Sequence, residues 1–362
     1  MRGKRASRSS ADSTRSRPFF WVGEDFSVEE RRPVKTLTVI LRTRGCKWRS
    51  CRMCGFWRES SPKISQEEIV KQLKVALNES KVGKDGGKEE VFMLKIFTSG
   101  SFFDDVEISS ATRLRMLRML PENCVKVIVE TRPEFVSEEK VSECVAVLER
   151  EKGVGSAGSA GNAYDFDFMR NATLEVAFGL ETANDFIRNE YINKGFTLDD
   201  FKNAAEIVRK CGAEVKVYLL LKPPFVSERE AIEDALRSAR EVHRYASTFS
   251  LNLCNVQRGT FVERLWFRNI YRPPWLWSAV AAVERIKSEF PEKVVISDPV
   301  AAGAPRGPHN CGKCDSSVAK AIKKFNLTQD LSVFSSLECP CRNVWGELLK
   351  CDAFLFGAIP LR

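Results

Sequence analysis

The sequence predicts an α/β fold, a partial (β/α)6 barrel with a small C-terminal Cys-rich metal-binding appendage. Three observations lead there. β-branched and apolar runs alternate with helical segments from residue 34 to residue 257, as in a parallel sheet with crossover helices. No G-x-G-x-x-G opens a helix, which removes the main support for a doubly wound dinucleotide fold. Seven of the 12 cysteines fall into two groups, one inside this region and one after it.

The first strand is VKTLTVILRT (34–43), and a Cys-rich loop follows it directly. Ser65 is the expected N-cap of SQEEIVKQLKVALNES (65–80), with Glu68 three residues on and apolar positions at helical spacing. VFMLKIFTSG (91–100) reads as a strand, 110–122 as a helix, 124–133 as a strand and 137–152 as a helix. GVGSAGSAGNA (153–163) reads as a flexible insertion of small residues, with no functional account. The alternation then resumes with strand 173–182, helix 197–212 closed by Gly212, strand 213–224, helix 227–246 and strand 248–257. In such a barrel the loops after the strands carry the chemistry. The Cys loop, Ser99-Gly100-Ser101, Glu130 and Glu181 all fall there.

Three regions are expected: a basic, disordered arm over 1–30, the barrel over 31–258, and an aromatic-basic and Cys-rich part over 259–362. With 43% hydrophobic and 29% charged residues the composition is that of a globular protein. No apolar run reaches the roughly 20 residues that span a bilayer, and no secretory h-region is present. The expected setting is the cytoplasm, with no membrane partner. The net charge of +9 and pI of 8.9 suit either ordinary solubility or a polyanionic partner.

In a reducing compartment clustered thiols point to metal rather than disulfides. The five scattered cysteines read as small buried hydrophobes. The first group, RTRGCKWRSCRMCGF, spaces Cys46, Cys51 and Cys54 as C-x4-C-x2-C. Thiolates select iron–sulfur clusters, zinc or copper(I). No fourth ligand lies nearby, so three thiolates would leave one corner of a [4Fe–4S] cluster open; zinc with a distant fourth ligand is the competing reading. The second group, Cys311-x2-Cys314 and Cys339-x-Cys341, is divided by a helix-sized segment and reads as a structural zinc site. A second iron–sulfur cluster competes, and His309 is a possible alternative ligand. Between the groups, RNIYRPPWLWS is either packed core or a nucleic-acid contact. In the second case Arg268 and Arg272 hold phosphate, and Tyr271, Trp275 and Trp277 stack on an extruded base.

A three-Cys loop after the first strand of such a barrel resembles the radical-SAM enzymes, with one residue more in the first gap than their usual C-x3-C-x2-C. Variants with longer gaps occur in the Elongator group. Met53 stands where an aromatic residue commonly precedes the last Cys, and Phe56 is the candidate substitute for packing adenine. Ser99-Gly100-Ser101 stands where the family carries Gly-Gly-Glu for the methionine amino group of S-adenosyl-L-methionine (SAM). Glu181 matches the acidic position that accepts from ribose hydroxyls.

More narrowly, LRTRGCKWRSCRMCGF, TSGSFFD, GLETAND, YRPPWLWS and GPHNCGKCD together resemble the archaeal radical-SAM family of archaeosine biosynthesis, over residues 34–350. That resemblance implies a [4Fe–4S] cluster, SAM, an electron donor, a tRNA substrate and a lysine-transferring archaeosine synthase subunit as partner. It also implies the reaction, a lyase step that cleaves a C–N bond of the lysine adduct on the position-15 deazaguanine and leaves a formamidine. Two other readings stay open. One is an Elongator-like radical-SAM enzyme acting on another nucleoside or a small molecule, the other a zinc- and nucleic-acid-binding module.

Overall fold

The alternation of the strands becomes one eight-stranded sheet. The structure, a computed structural model, describes residues 18–85, 88–149 and 172–351. The strands are β1 (Phe19–Ser27), β2 (Arg32–Ile40), β3 (Phe92–Phe97), β4 (Cys124–Thr131), β5 (Thr173–Glu181), β6 (Glu214–Leu221), β7 (Thr248–Leu253) and β8 (Val294–Ile296). They neighbour one another in chain order, β1 antiparallel to β2 and every later pair parallel. Consecutive parallel neighbours keep the crossover helices on one face, and the sheet curls into a half-barrel.

The crossovers are α1 (Gln66–Ser80), α2 (Ser110–Arg118), α3 (Glu138–Leu148), α4 (Leu198–Lys210) and α5 (Glu228–Val242). Capping boxes start three of them: Ser65 with Glu68, as the sequence predicts, Thr197 with Asp200, and Ser227 with Glu230. Gly212 follows α4 at φ 80°. Against these helices the strands present Leu37, Val39, Leu94, Ile96, Val127, Val176, Phe178, Val217 and Phe249, each fully buried.

The opposite face lines the lumen and is polar. Lys95, Lys126, Glu175, Lys216 and Thr248 share a cavity of about 250 Å³ at the end where the parallel strands begin. Their charges are matched within the protein: Lys95 to Asp25 at 2.7 Å, Lys126 to Glu214 and Glu29 at 2.9 and 3.1 Å, and Lys216 to Glu175 at 4.0 Å. Buried charge is tolerated when it is paired and hydrogen-bonded in this way.

Beyond the crossovers lie α6 (Phe261–Phe267), α7 (Leu276–Glu289), α8 (Asp315–Thr328) and α9 (Cys341–Cys351). α7 packs on α5, while α8 packs on both edge strands, β1 and β8. Two boundaries differ from the sequence reading. Residues 19–27, assigned there to the arm, form β1 because FFWVGEDFS pairs along its whole length with β2. The sheet also continues past residue 258, since β8 pairs with β7 from the far side of α7. The first 17 residues and the 153–163 insertion lie outside the described residues. No helix among the described residues is long and apolar enough to cross a membrane.

Candidate functional site

The Cys loop leaves β2 at the barrel end where the parallel strands finish, and backbone bonds tie it to three of its neighbours. The Cys46 N–H donates to the Ser99 carbonyl at 3.0 Å, and the Arg52 N–H to the Ile192 carbonyl at 2.8 Å. The Gly55 N–H donates to Gln257 Oε1 at 2.6 Å. Within the loop the Cys54 N–H donates to the Cys51 carbonyl at 3.2 Å, and the Arg49 guanidinium to the carbonyls of Cys46 and Arg44 at 2.8 and 3.0 Å. The Trp48 indole donates to the Asn193 carbonyl at 2.7 Å and lies flat on Gly195, where an added Cβ would stand 2.3 Å from the ring. Gly195 also has φ +76°, so glycine is required there twice over.

Cys46, Cys51 and Cys54 are half-buried and unpaired. Among the described residues, a set with all ligand atoms within 4.8 Å of one another occurs at the C-terminal cysteines and not on this loop. Three thiols spread over a loop suit ligation of different irons of one cluster and do not suit a single tetrahedral ion. Burial pushes Cys51 up to about 11, against the pull of the Lys194 ammonium, and burial also raises Cys54. The free Cys51 and Cys54 thiols therefore hold their protons at neutral pH, and metal must displace those protons on binding.

Glu181 ends β5 at φ 68°, where the pairing with β6 becomes irregular. It is buried, and Lys194 donates to its Oε1 at 2.6 Å. Burial alone would lower the Lys194 pKa, but Glu181 and then Cys51 beside it raise it. Both members of the pair act electrostatically on Cys51 and Cys54. Lys194 escaped the sequence reading; its signal is the N-K-G turn 13 residues after Glu181, whose glycine seats Trp48.

Ser99, Gly100 and Ser101 follow β3 and do meet the Cys loop, but a carboxylate braces them from behind. The Ser101 N–H donates to Glu107 Oε2 at 2.6 Å, and the Thr43 hydroxyl donates to Glu107 Oε1. A Cβ on Gly100 would stand 2.0 Å from Glu107 Oε2 and 2.7 Å from the Cys46 nitrogen, so only glycine fits between them. Burial raises the Glu107 pKa against hydrogen bonds from Thr43 and Ser101. Ser101 itself is 1% exposed and accepts from the Arg132 N–H at 3.2 Å. Its hydroxyl is therefore committed inside the protein. Phe56 stands 57% exposed on a short 3-10 turn. In the lumen below, Glu130 is pushed up to about 7 by burial, against a hydrogen bond from the Tyr218 hydroxyl.

The four C-terminal cysteines form a tight group. Cys311 and Cys339 lie 3.7 Å apart and Cys314 and Cys341 3.6 Å, with all four sulfurs within 4.8 Å of one another. Sulfurs on one tetrahedral zinc stand about 3.8 Å apart, given Zn–S bonds near 2.3 Å. Side-chain N–H groups point at two of them: Asn310 to Cys314 at 3.2 Å and the Trp277 indole to Cys341 at 3.3 Å. Against the upward push of burial, backbone and thiol hydrogen bonds bring Cys311 down to about 7. His309 is not part of the set; its Nδ1 faces the Gly307 carbonyl at 2.8 Å.

The aromatic-basic segment is core and not a stacking surface. Tyr271, Trp275 and Trp277 are 3%, 2% and 1% exposed. The Tyr271 hydroxyl donates to the Lys222 carbonyl at 2.8 Å, and Arg272 donates to the His309 carbonyl at 2.6 Å while lying over the Trp275 ring. Beneath them Glu228 accepts from Lys222 at 2.7 Å and from the Ser278 hydroxyl at 2.5 Å. Stacking a base on these rings would require unfolding the junction between barrel and appendage. Of the five residues only Arg268 is exposed.

No protein-family model matches the chain. It is 43% identical over 343 residues to archaeosine synthase subunit beta of Methanosarcina acetivorans, covering 93% of this chain and 91% of that one. It is 42% identical over 340 residues to archaeosine synthase subunit beta of Thermococcus kodakarensis, covering 91% and 96%. Among solved structures, Elp3 of Methanocaldococcus infernus with its N-terminus deleted overlays with a TM-score of 0.47. That overlay has 16% identity and covers 71% of this chain and 59% of that one.

Proposed function

This chain belongs to the archaeosine synthase subunit beta family, and from that premise we propose that it cleaves a C–N bond of the lysine adduct on the position-15 deazaguanine of tRNA, leaving the formamidine of archaeosine. The coarse role, a radical-SAM enzyme of archaeosine biosynthesis, follows from the family. The observation that supports radical chemistry is the set of three thiols beside the buried Lys194–Glu181 pair, and the substrate is taken from the family.

Cys46, Cys51 and Cys54 would hold a [4Fe–4S] cluster; that they form no set within 4.8 Å, with no fourth ligand grouped with them among the described residues, suits it. With SAM, such a cluster would supply one-electron chemistry that starts hydrogen abstraction. The protein's own residues orient and enclose. Glu181 accepts from the ribose hydroxyls, and Lys194, 2.6 Å from its Oε1, holds that carboxylate in place. Ser99 and Gly100 present backbone at the mouth of the site, fixed there by Glu107. Phe56 packs on the adenine. The C-terminal group holds a structural zinc: its sulfurs fit one tetrahedral ion, and the Asn310 and Trp277 N–H groups stabilise thiolate charge. A lysine-transferring synthase subunit supplies the substrate, and an external donor supplies the electron.

The test is anaerobic incubation of the reconstituted protein with reductant, SAM and tRNA bearing the lysine adduct. 5′-Deoxyadenosine should rise in step with the formamidine base. No rise with that tRNA contradicts the reading.

A further inference from the structure

The barrel end that carries the Cys loop has an aromatic rim. Phe19 pairs with Ile40 and Ile40 with Phe97, while Trp21 pairs with Thr38 one row below. Directly paired residues share a face of the sheet. Asp25, on the same side of β1, reaches Lys95 in the lumen at 2.7 Å. Phe19 and Trp21 therefore stand on the inner face of β1, where β2 runs into the Cys loop. They are 66% and 45% exposed, with ring centroids 5.5 Å apart. Single exposed apolar residues are ordinary, but two adjoining rings at the mouth of a site mark a contact surface.

The chain that leaves the rim at Ile40 carries positive charge. Arg42 lies two residues past Ile40, and Arg42, Arg44 and Lys47 are exposed. Among the described residues none of the three makes an ion pair. The lysines at the far end of the barrel, in contrast, are matched by carboxylates. The 17 residues before Pro18 add six Lys and Arg against one Asp. Aromatic faces flanked by unmatched cations form the platform that binds single-stranded nucleic acid: bases stack, and phosphates meet the charges.

We propose that this rim is an RNA-binding surface, with unpaired bases of the tRNA stacked on Phe19 and Trp21 and the adjoining phosphates held by Arg42, Arg44 and Lys47. The inference rests on the tRNA reading above and assigns the surface on which the RNA lies. It replaces the segment around Trp275 in that role.

Fluorescence anisotropy with labelled tRNA bearing the lysine adduct, on anaerobically reconstituted full-length protein, tests it. The double variant Phe19→Ala/Trp21→Ala should raise Kd by on the order of tenfold or more. Trp21→Phe should keep most of the affinity, because any aromatic face serves. The triple variant Arg42→Gln/Arg44→Gln/Lys47→Gln should lower the slope of log K against log salt by about 2. Cluster absorption and thermal midpoint, read on the same samples, show that each variant is folded. An unchanged Kd in the double variant overturns the proposal, as does a Trp21→Phe variant as impaired as Trp21→Ala. Loss of binding to the lysine-transferring subunit with tRNA affinity intact also overturns it, since a protein then covers the rim. If the wild type binds and converts the tRNA while the variants match it, only this inference falls. If the wild type binds no tRNA, the tRNA reading falls as well.

Discussion

At the C-terminus four thiols converge within 4.8 Å of one another, with N–H groups of Asn310 and Trp277 already aimed at two of them. On the loop after β2 three thiols stand apart, and their neighbours are the Lys194–Glu181 pair and backbone carbonyls of other loops. The ligand is the same in both places, and its arrangement differs. A convergent set of four completes an ion's coordination and leaves nothing for a substrate to bind. A set of three leaves a position open, with the Lys194–Glu181 pair acting on Cys51 beside it. In the proposed assignment, one group holds the appendage together and the other does chemistry.

Four experiments can break or sharpen that contrast, taken from the largest expected effect to the smallest. Replacing Cys46, Cys51 or Cys54 by Ala should abolish iron binding and 5′-deoxyadenosine formation while leaving zinc content intact, as metal analysis of each variant would read. Cys314→Ala or Cys341→Ala should do the reverse: zinc is lost, the thermal midpoint falls by about 10 °C or more, and iron remains. A cysteine variant of one group that empties both would contradict the division of labour.

Glu181→Gln and Lys194→Met should raise the KM for SAM by about tenfold and leave the iron content unchanged. A fall in iron equal to that of the Cys46 variant would move the pair from SAM positioning to cluster assembly. The smallest effect concerns the lumen. Glu130 holds its proton up to about 7 in the folded protein, against 4.5 for the ordinary carboxyl. Folding thus takes up a proton between those values, and stability falls as pH rises from 4.5 toward 7. Glu130→Gln should flatten that decline in chemical denaturation curves measured across the window. Parallel curves for wild type and variant would show that Glu130 does not titrate there.

Much of this was legible in the sequence, for physical reasons that can be named. The crossover strands announce themselves by β-branched runs, and α1 by Ser65 and Glu68 at capping-box spacing. The cysteine groups are visible because thiols rarely cluster in a chain without metal. Glu107 was hidden because it lies six residues beyond Ser101 and reaches back only after the chain turns. Lys194 was hidden because a loop, not a motif, carries it to Glu181. The RNIYRPPWLWS segment misled because arginine over tryptophan looks alike in a core and on a nucleic-acid surface. Only burial separates the two. β1 was missed because it directly follows a basic segment and FFWVGEDFS shows no apolar alternation.

The central claim is that Cys46, Cys51 and Cys54 hold a cluster with one open iron. Electron paramagnetic resonance of the anaerobically reduced protein, before and after adding SAM, tests it most directly. The account predicts about four irons per chain on that loop, a reduced-cluster signal that shifts when SAM is added, and loss of that signal in Cys46→Ala. A colourless protein containing only zinc, or a signal indifferent to SAM, would contradict it.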